Sequence, residues 1–460
     1  PPQYRSPVTS SNSARPSRRA SSPTVEYGCS SGRSESASNG SESGPVPSGA
    51  TRLRAYGRFV QGLGHGSLAL LYDRGFIADE TSDRAAAELV EYGVLMDTAL
   101  AFLGRAAELA RGEDWEIPAR WMSVPVSADQ LERLAHSFAA RFRAAVARTP
   151  AERAGVDWDA VIADARVGIA ADWVMDMDYY DGWWADILYY AGYPGRSQET
   201  YFILGMADQA GHYQRWLSQD SLPWSRIPNP DTDGDGEVDP ILIVTPDTRF
   251  PRGSTLAEQE ANPGSQYAIP NGLQGRIGGQ DRAWDIREIW ALRHRGSWRW
   301  SYYWPIDSEA YAHSVDVHWP EITAAEMRLL EAEGRLREDD AAGAAALINV
   351  SRTAAGLGPT DASGSNPDCV PRLPDGNCGG LMEMLKWEKR LETHMKGLNF
   401  APWYFDGRGW GDLYYGTWLQ LPVPCPELTL LGEECYTFGV EGESASPGSV
   451  YAWPGERERL

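Results

Sequence analysis

The sequence predicts a mainly α protein: a scaffold of paired helices that carries long irregular loops and little β structure. Three observations predict it. From Thr323 to Gly356, 34 residues read as two helices joined by an acidic turn, the length of one tetratricopeptide helix pair. Residues 51–170 hold long Ala/Leu-rich stretches with helical periodicity. Residues 171–320 are instead rich in aromatics, Pro, Gly and Asp, with short strand-like pieces such as Ile241 to Val244, a composition of elaborated loops laid over a frame.

Taken in order, residues 1–50 hold 15 Ser, 7 Pro and 5 Gly, a composition that cannot build a core and reads as an extended tail open to O-glycosylation. Its five Arg and three Glu make it weakly basic in a chain of net charge -22. It reads as a flexible linker or, laid on a neighbouring copy, as the joining arm of a self-assembling extracellular fibre.

Residues 51–460 form one body. Thr51 to Leu71 and Asp83 to Arg111 read as long helices, the second with Leu89, Met96, Leu100, Leu103 and Ala107 near one stripe. Ser127 and Gln130 make a capping box before Leu131, Leu134, Phe138 and Phe142, and Pro150 is expected to end that helix. Asp157 to Gly168 reads as a shorter partner. In the 323–356 pair, Met327, Leu330 and Gly334 form the inner stripe, leaving Glu326, Arg328, Glu333, Arg335 and Arg337 for the other faces. Glu338, Asp339 and Asp340 charge-match the start of the second helix, which repeats the spacing through Ala344, Leu347, Ile348 and Ser351, and Gly356 stands at a left-handed cap. A last helix carries Glu388, Arg390 and Glu392, followed by Gly397 and an aromatic run closing on Asp406 and Arg408. The scaffold thus occupies about 51–170 and 320–415, the loop-rich region 171–320, and C-terminal loops 416–460.

No run of eighteen apolar residues exists to span a membrane as a helix. The net charge of -22 argues against nucleic acid as a partner, because phosphate binding needs clustered Lys and Arg. Cys369 with Cys378, and Cys425 with Cys435, bracket short loops and read as two local disulfides, which implies an oxidising, extracytoplasmic compartment; no Cys-x-x-Cys favours zinc. Cys29 is left over.

With 19 Trp and 21 Tyr against 10 Phe, the chain favours aromatics with a polar handle. Two clusters stand out: Tyr179, Tyr180, Trp183, Trp184 and Tyr189 among aspartates, and Trp298, Trp300, Tyr302 and Trp304 on alternate positions of an extended segment. Each reads either as a stacking platform for sugar rings, with carboxylates beside it for the hydroxyls, or as core packing. Asp231, Asp233, Asp235, Glu237 and Asp239 gather hard oxygen ligands around Gly236 in a shortened EF-hand-like loop for Ca2+; Leu242 stands where the twelfth-position Glu would be, and an acidic surface turn is the alternative. Glu388 and Glu392 lie four apart with Arg390 between them, His394 has no Ser or Cys nucleophile setting, and the histidines show no ligand spacing. The sequence therefore reads as a binder rather than an enzyme.

The segment INVSRTAAGL (348–357) resembles the N-x-x-R-x-x-A-G-L element of the SusD/RagB outer-membrane proteins, and Glu388 to Gly411 resembles their E-R-R-x-E-L, E-G and D-L-R-R-W-G signature. Leu53 to Glu80 is similar to the family's opening helix, and Leu419 to Leu428 to its closing P-I-P-x-x-E element, so the resemblance spans roughly 51–440. It departs in an insertion near Ala401 and Pro402, in Arg408 followed by Gly409 for the Arg pair, and in lacking the terminal Q-N-P-G-Y. The resemblance implies a SusD-like fold and a surface lipoprotein that captures oligosaccharide or peptide for a TonB-dependent SusC-like transporter. It makes Cys29 either the lipidated residue or a free thiol, because Glu26, Tyr27 and Gly28 precede it instead of an apolar segment.

Overall fold

The computed structural model describes residues 48–82, 88–178, 180, 183, 199–217, 242–269, 301, 303–306, 316–397, 402–413 and 417–437, all within the compact unit Pro47–Leu460. The tail read as a joining arm, with Cys29, lies outside the described residues apart from its last three. Helices dominate.

Helix α1 (Ser48–Leu71) packs along α2 (Tyr92–Ala110). Glycines let α1 approach its neighbours: a Cβ on Gly62 would meet Leu103 of α2 at 2.7 Å, and one on Gly66 would meet Phe142, on the helix Ala128–Ala145, at 2.1 Å. The predicted helix from Asp83 is shorter than expected. Leu89–Glu91 is a strand paired with Arg74–Phe76, so Leu89 leaves the stripe, and Leu95, Met96, Ala99, Leu103 and Ala107 bury instead.

Helix α3 (Ala128–Ala145) opens on Ser127, whose hydroxyl accepts from the Gln130 amide at 3.2 Å, and buries Leu131, Leu134, Phe138 and Phe142 as expected. It ends five residues before Pro150, which instead begins the short helix Pro150–Ala154 behind a Thr149 cap. Proline fits there because the first helical amides lack partners in any case. Helix α4 (Trp158–Val167) is capped by Asp157 and stops at Gly168, as read from the sequence.

A ribbon follows that the sequence reading missed. Strand β1 (Trp173–Asp178) pairs antiparallel with β2 (Asp316–Ile322), from Trp173 opposite Ile322 to Asp178 opposite Asp316. Trp173, Met175, Met177, Val317 and Trp319 point into the main core. The loop-rich region is therefore an excursion that leaves and re-enters the scaffold through one two-stranded ribbon. Every sheet among the described residues has two strands, and the described part of Ile241 to Val244 belongs to none.

Helices α5 (Ala324–Arg337) and α6 (Ala341–Ala354) form the predicted pair. Thr323 caps the first through the Glu326 amide, Asp340 caps the second through the Gly343 amide, and Gly356 takes φ +75°. Helices α7 (Leu381–Thr393) and α8 (Pro402–Trp410) complete the frame. Both disulfides, Cys369–Cys378 and Cys425–Cys435, are present.

One expectation about α5 is overturned. Glu326 and Glu333, assigned to a solvated face, are 2% and 0% exposed. Arg141 grips Glu326 with two nitrogens at 2.7 and 2.6 Å, and Arg153 grips Glu333 at 2.9 and 2.6 Å. A helix packed on several sides buries faces that a single amphipathic stripe assigns to water, and a buried carboxylate needs such a partner.

Candidate functional site

The residues that carried the family resemblance come together as buried ion pairs. In the first knot, Arg153 joins Glu333 of α5 to Asp406 of α8 at 2.9 Å; Lys389 of α7 reaches Asp406 at 2.8 Å, and the Trp410 indole donates to Glu333 at 2.9 Å. Burial works to raise the Glu333 carboxyl, but Arg153, then Lys389 and Arg337, hold it down to about 2. In the second knot, Arg249 donates to both oxygens of Asp247 and, at 2.8 Å, to Glu388 of α7. Arg352 lies 3.7 Å from the other Glu388 oxygen and donates to the Val370 carbonyl at 2.7 Å. Burial pushes the Glu388 carboxyl up to about 7, with Arg249 pulling the other way. Asn349 bridges both ways to Thr360, at 2.9 and 2.7 Å. Arg408 donates to the carbonyls of Leu70, Ala145 and Leu419, tying down the last turn of α1 and of α3; burial and then Arg148 lower its pKa to about 9. These charges face each other in a packed interior, which is an arrangement for holding helices together.

Further residues of α7 and α8, with Trp410 shared between the two regions, do something else. With the turn Tyr201–Leu204, they enclose an open cavity of about 130 Å³ walled by Phe202, Ile203, Trp403, Tyr404, Trp410 and Leu413, with Arg390, Asp412, Thr200 and Thr417 among them. The aromatic run after Gly397 supplies three of the rings because Pro402 starts a helix there. The Thr200 hydroxyl caps the facing turn through the Phe202 amide. Asp412 is placed by the end of α8: Gly411 adopts φ +77°, its amide donates to Arg408 and that of Asp412 to Gly407, closing a Schellman motif. The Asp412 carboxyl is held above its usual range, first by burial, with Lys386 opposing. At the mouth, the Tyr404 hydroxyl donates to the Trp418 carbonyl, and Trp418 itself is 61% exposed. The cavity sits at the seam between two hydrophobic clusters, one around Phe202 and Trp387, the other around Leu385 and Trp410.

The nominated aromatics fall elsewhere. Tyr180 follows β1 and is 79% exposed; Trp183 bridges to Asp178 and packs partly buried on the main core. Neither lines the cavity. Trp304 lies in a short pairing with Ala268 and is buried, so its ring is not offered to solvent. Tyr179, Trp184, Tyr189, Trp298, Trp300 and Tyr302 lie outside the described residues, as do the calcium candidates Asp231, Asp233, Asp235, Glu237 and Asp239. Among the described residues no cluster of three or more His, Cys, Asp and Glu is set to hold a metal, and no helix is long and apolar enough to cross a membrane. His394 is buried with its Nε2 3.1 Å from Glu199.

No family model matches the sequence, and no curated protein matches it. Among solved structures the chain is similar to a SusD superfamily protein from Bacteroides vulgatus, at 13% identity and TM-score 0.42 over 80% of this chain and 68% of that one. It is similar as well to a SusD-like protein from Bacteroides fragilis, at 15% identity and TM-score 0.40 over 79% and 70%. A SusD superfamily protein from Bacteroides thetaiotaomicron aligns at 13% identity and TM-score 0.36 over 89% and 75%.

Proposed function

We propose that the protein is a surface-exposed binding protein that captures an oligosaccharide, or a peptide, without chemistry and delivers it to a TonB-dependent SusC-like transporter of the outer membrane. The observation that carries this reading is the α7/α8 cavity, where aromatic walls for the apolar faces of sugar rings stand beside Arg390, Asp412 and two threonine hydroxyls for the polar edges. No His, Cys or Ser belongs to that lining. The residues at 179–189 and 298–302 stand as a second candidate surface for the same ligand. The reading predicts that the purified protein binds at least one class on an array of oligosaccharides and peptides. Silence across the whole array contradicts it.

Ca2+ at Asp231 to Asp239 is a further part of the proposal, resting on the D-x-D-x-D-G spacing. Chelation is expected to lower the melting temperature and release calcium; an unchanged melting temperature and metal content removes it.

A further inference from the structure

Helix α1 is apolar on two sides. One side packs on α2 and α3. On the other, Leu53, Gly57, Val60, Gly64, Leu68 and Leu71 recur every three or four residues, which places them in one stripe running about 27 Å along the helix. All six are exposed, the four large side chains between 36% and 54%. A surface helix ordinarily sets its charges on the outward face; this stripe carries none, the pattern of a helix built to be covered.

The spacing indicates what covers it. When a second copy of α1 lies antiparallel, with the twofold axis between Val60 and Gln61, residues equally far from the axis stand level: Leu53 with Leu68 of the second copy, and Gly57 with Gly64. A Cβ on Gly57 or Gly64 would meet nothing of its own chain within 4 Å, so the two backbones can close on each other at the glycines while leucines clasp both ends, near the short end of the usual helix separation of about 8–10 Å. Charge favours the same direction. In a chain of net charge -22, α1 contains no Asp or Glu, and its three arginines, Arg52, Arg54 and Arg58, all stand in its first half. Antiparallel pairing keeps the arginines of the two copies apart and sets them beside the negative, C-terminal end of the other helix. A face free of carboxylates is also where two acidic molecules repel each other least.

We propose that α1 is the contact of a homodimer, in which two copies pack antiparallel through this stripe with Val60 beside the twofold axis. A single helix pair covers less than the roughly 800 Å² per partner of a standard interface, so the dimer is a weak one.

The test is sedimentation equilibrium of the full chain from about 10 to 500 µM, where weak interfaces associate. The wild type passes from monomer to dimer across that range, more readily as salt screens the net negative charge. Val60→Glu places two carboxylates together at the axis and weakens association at least about 10-fold, with the melting temperature unchanged. Gly57→Gln with Gly64→Gln holds or raises the melting temperature, because glutamine is the better helix former, yet weakens the dimer; a role confined to the monomer fold would not set those two effects in opposition. For the direction, in a Cys29→Ser background, Leu53→Cys mixed with Leu68→Cys cross-links on oxidation, whereas Leu53→Cys alone does not. A wild type that stays monomeric throughout the range, a dimer indifferent to Val60→Glu or to the paired glutamines, or cross-linking of Leu53→Cys with itself overturns the proposal.

Discussion

Helices α7 and α8 present two unlike regions to the rest of the molecule. On one side, Glu388, Lys389, Asp406 and Arg408 are buried in ion pairs and hydrogen bonds to backbone carbonyls. On the other, Arg390, Trp403, Trp410 and Asp412 border an open cavity. The contrast separates what a signature sequence encodes from what a site needs. Glu388, Asp406 and Arg408 tie neighbouring helices together, while Trp410, which donates to Glu333 and also walls the cavity, belongs to both regions.

That contrast can be broken most sharply at the first knot. Glu333→Ala leaves Arg153 buried without its bidentate partner, and a stability loss of about 3–5 kcal/mol is expected in denaturant unfolding. A loss below about 1 kcal/mol would show that the knot does not hold the frame.

The two knots also differ in how they respond to pH. Glu388 is raised on folding from 4.5 to about 7, so its contribution is full below about pH 4.5 and is lost as pH climbs through 7, a change of about 3 kcal/mol. Glu333 is lowered from 4.5 to about 2, so its contribution is present above 4.5 and is lost as pH falls toward 2. Arg249 and Arg153 stay charged throughout. Unfolding free energy measured from pH 5 to 8 should decline in the wild type and flatten in Glu388→Gln; parallel curves would mean that this carboxyl does not titrate there.

A smaller effect connects the two regions. Gly411→Ala forces a side chain into the left-handed region and against Pro150 at 2.9 Å, costing about 1–2 kcal/mol. Because the same turn sets Asp412, saccharide affinity should fall further than stability does. Unchanged affinity would detach the cap from the site.

Much of this fold was legible from local chemistry. The caps at Ser127, Asp157, Thr323 and Asp340, the φ of Gly356 and both disulfides follow from residues within a dozen positions of each other. The β ribbon was partly legible too: Trp-Val-Met-Asp-Met-Asp alternates from Trp173 to Asp178, but its partner lies beyond residue 315. The burial of Glu326 and Glu333 was not, because their partners Arg141 and Arg153 stand 185 and 180 residues away. The cavity was hidden for the same reason. Its aromatic run is plain in the sequence, yet nothing local brings Thr200 and Phe202 to face Trp403.

The central claim is that ligand is held between α7 and α8. Calorimetric titration of Trp403→Ala, with Tyr180→Ala in parallel as the exposed member of the loop cluster, against the tightest-binding array oligosaccharide tests it most directly. The account predicts that Trp403→Ala abolishes measurable binding while its melting temperature falls by only a few degrees, and that Tyr180→Ala weakens binding less. Full affinity in Trp403→Ala, with loss in Tyr180→Ala, would contradict it and move the site to the loops.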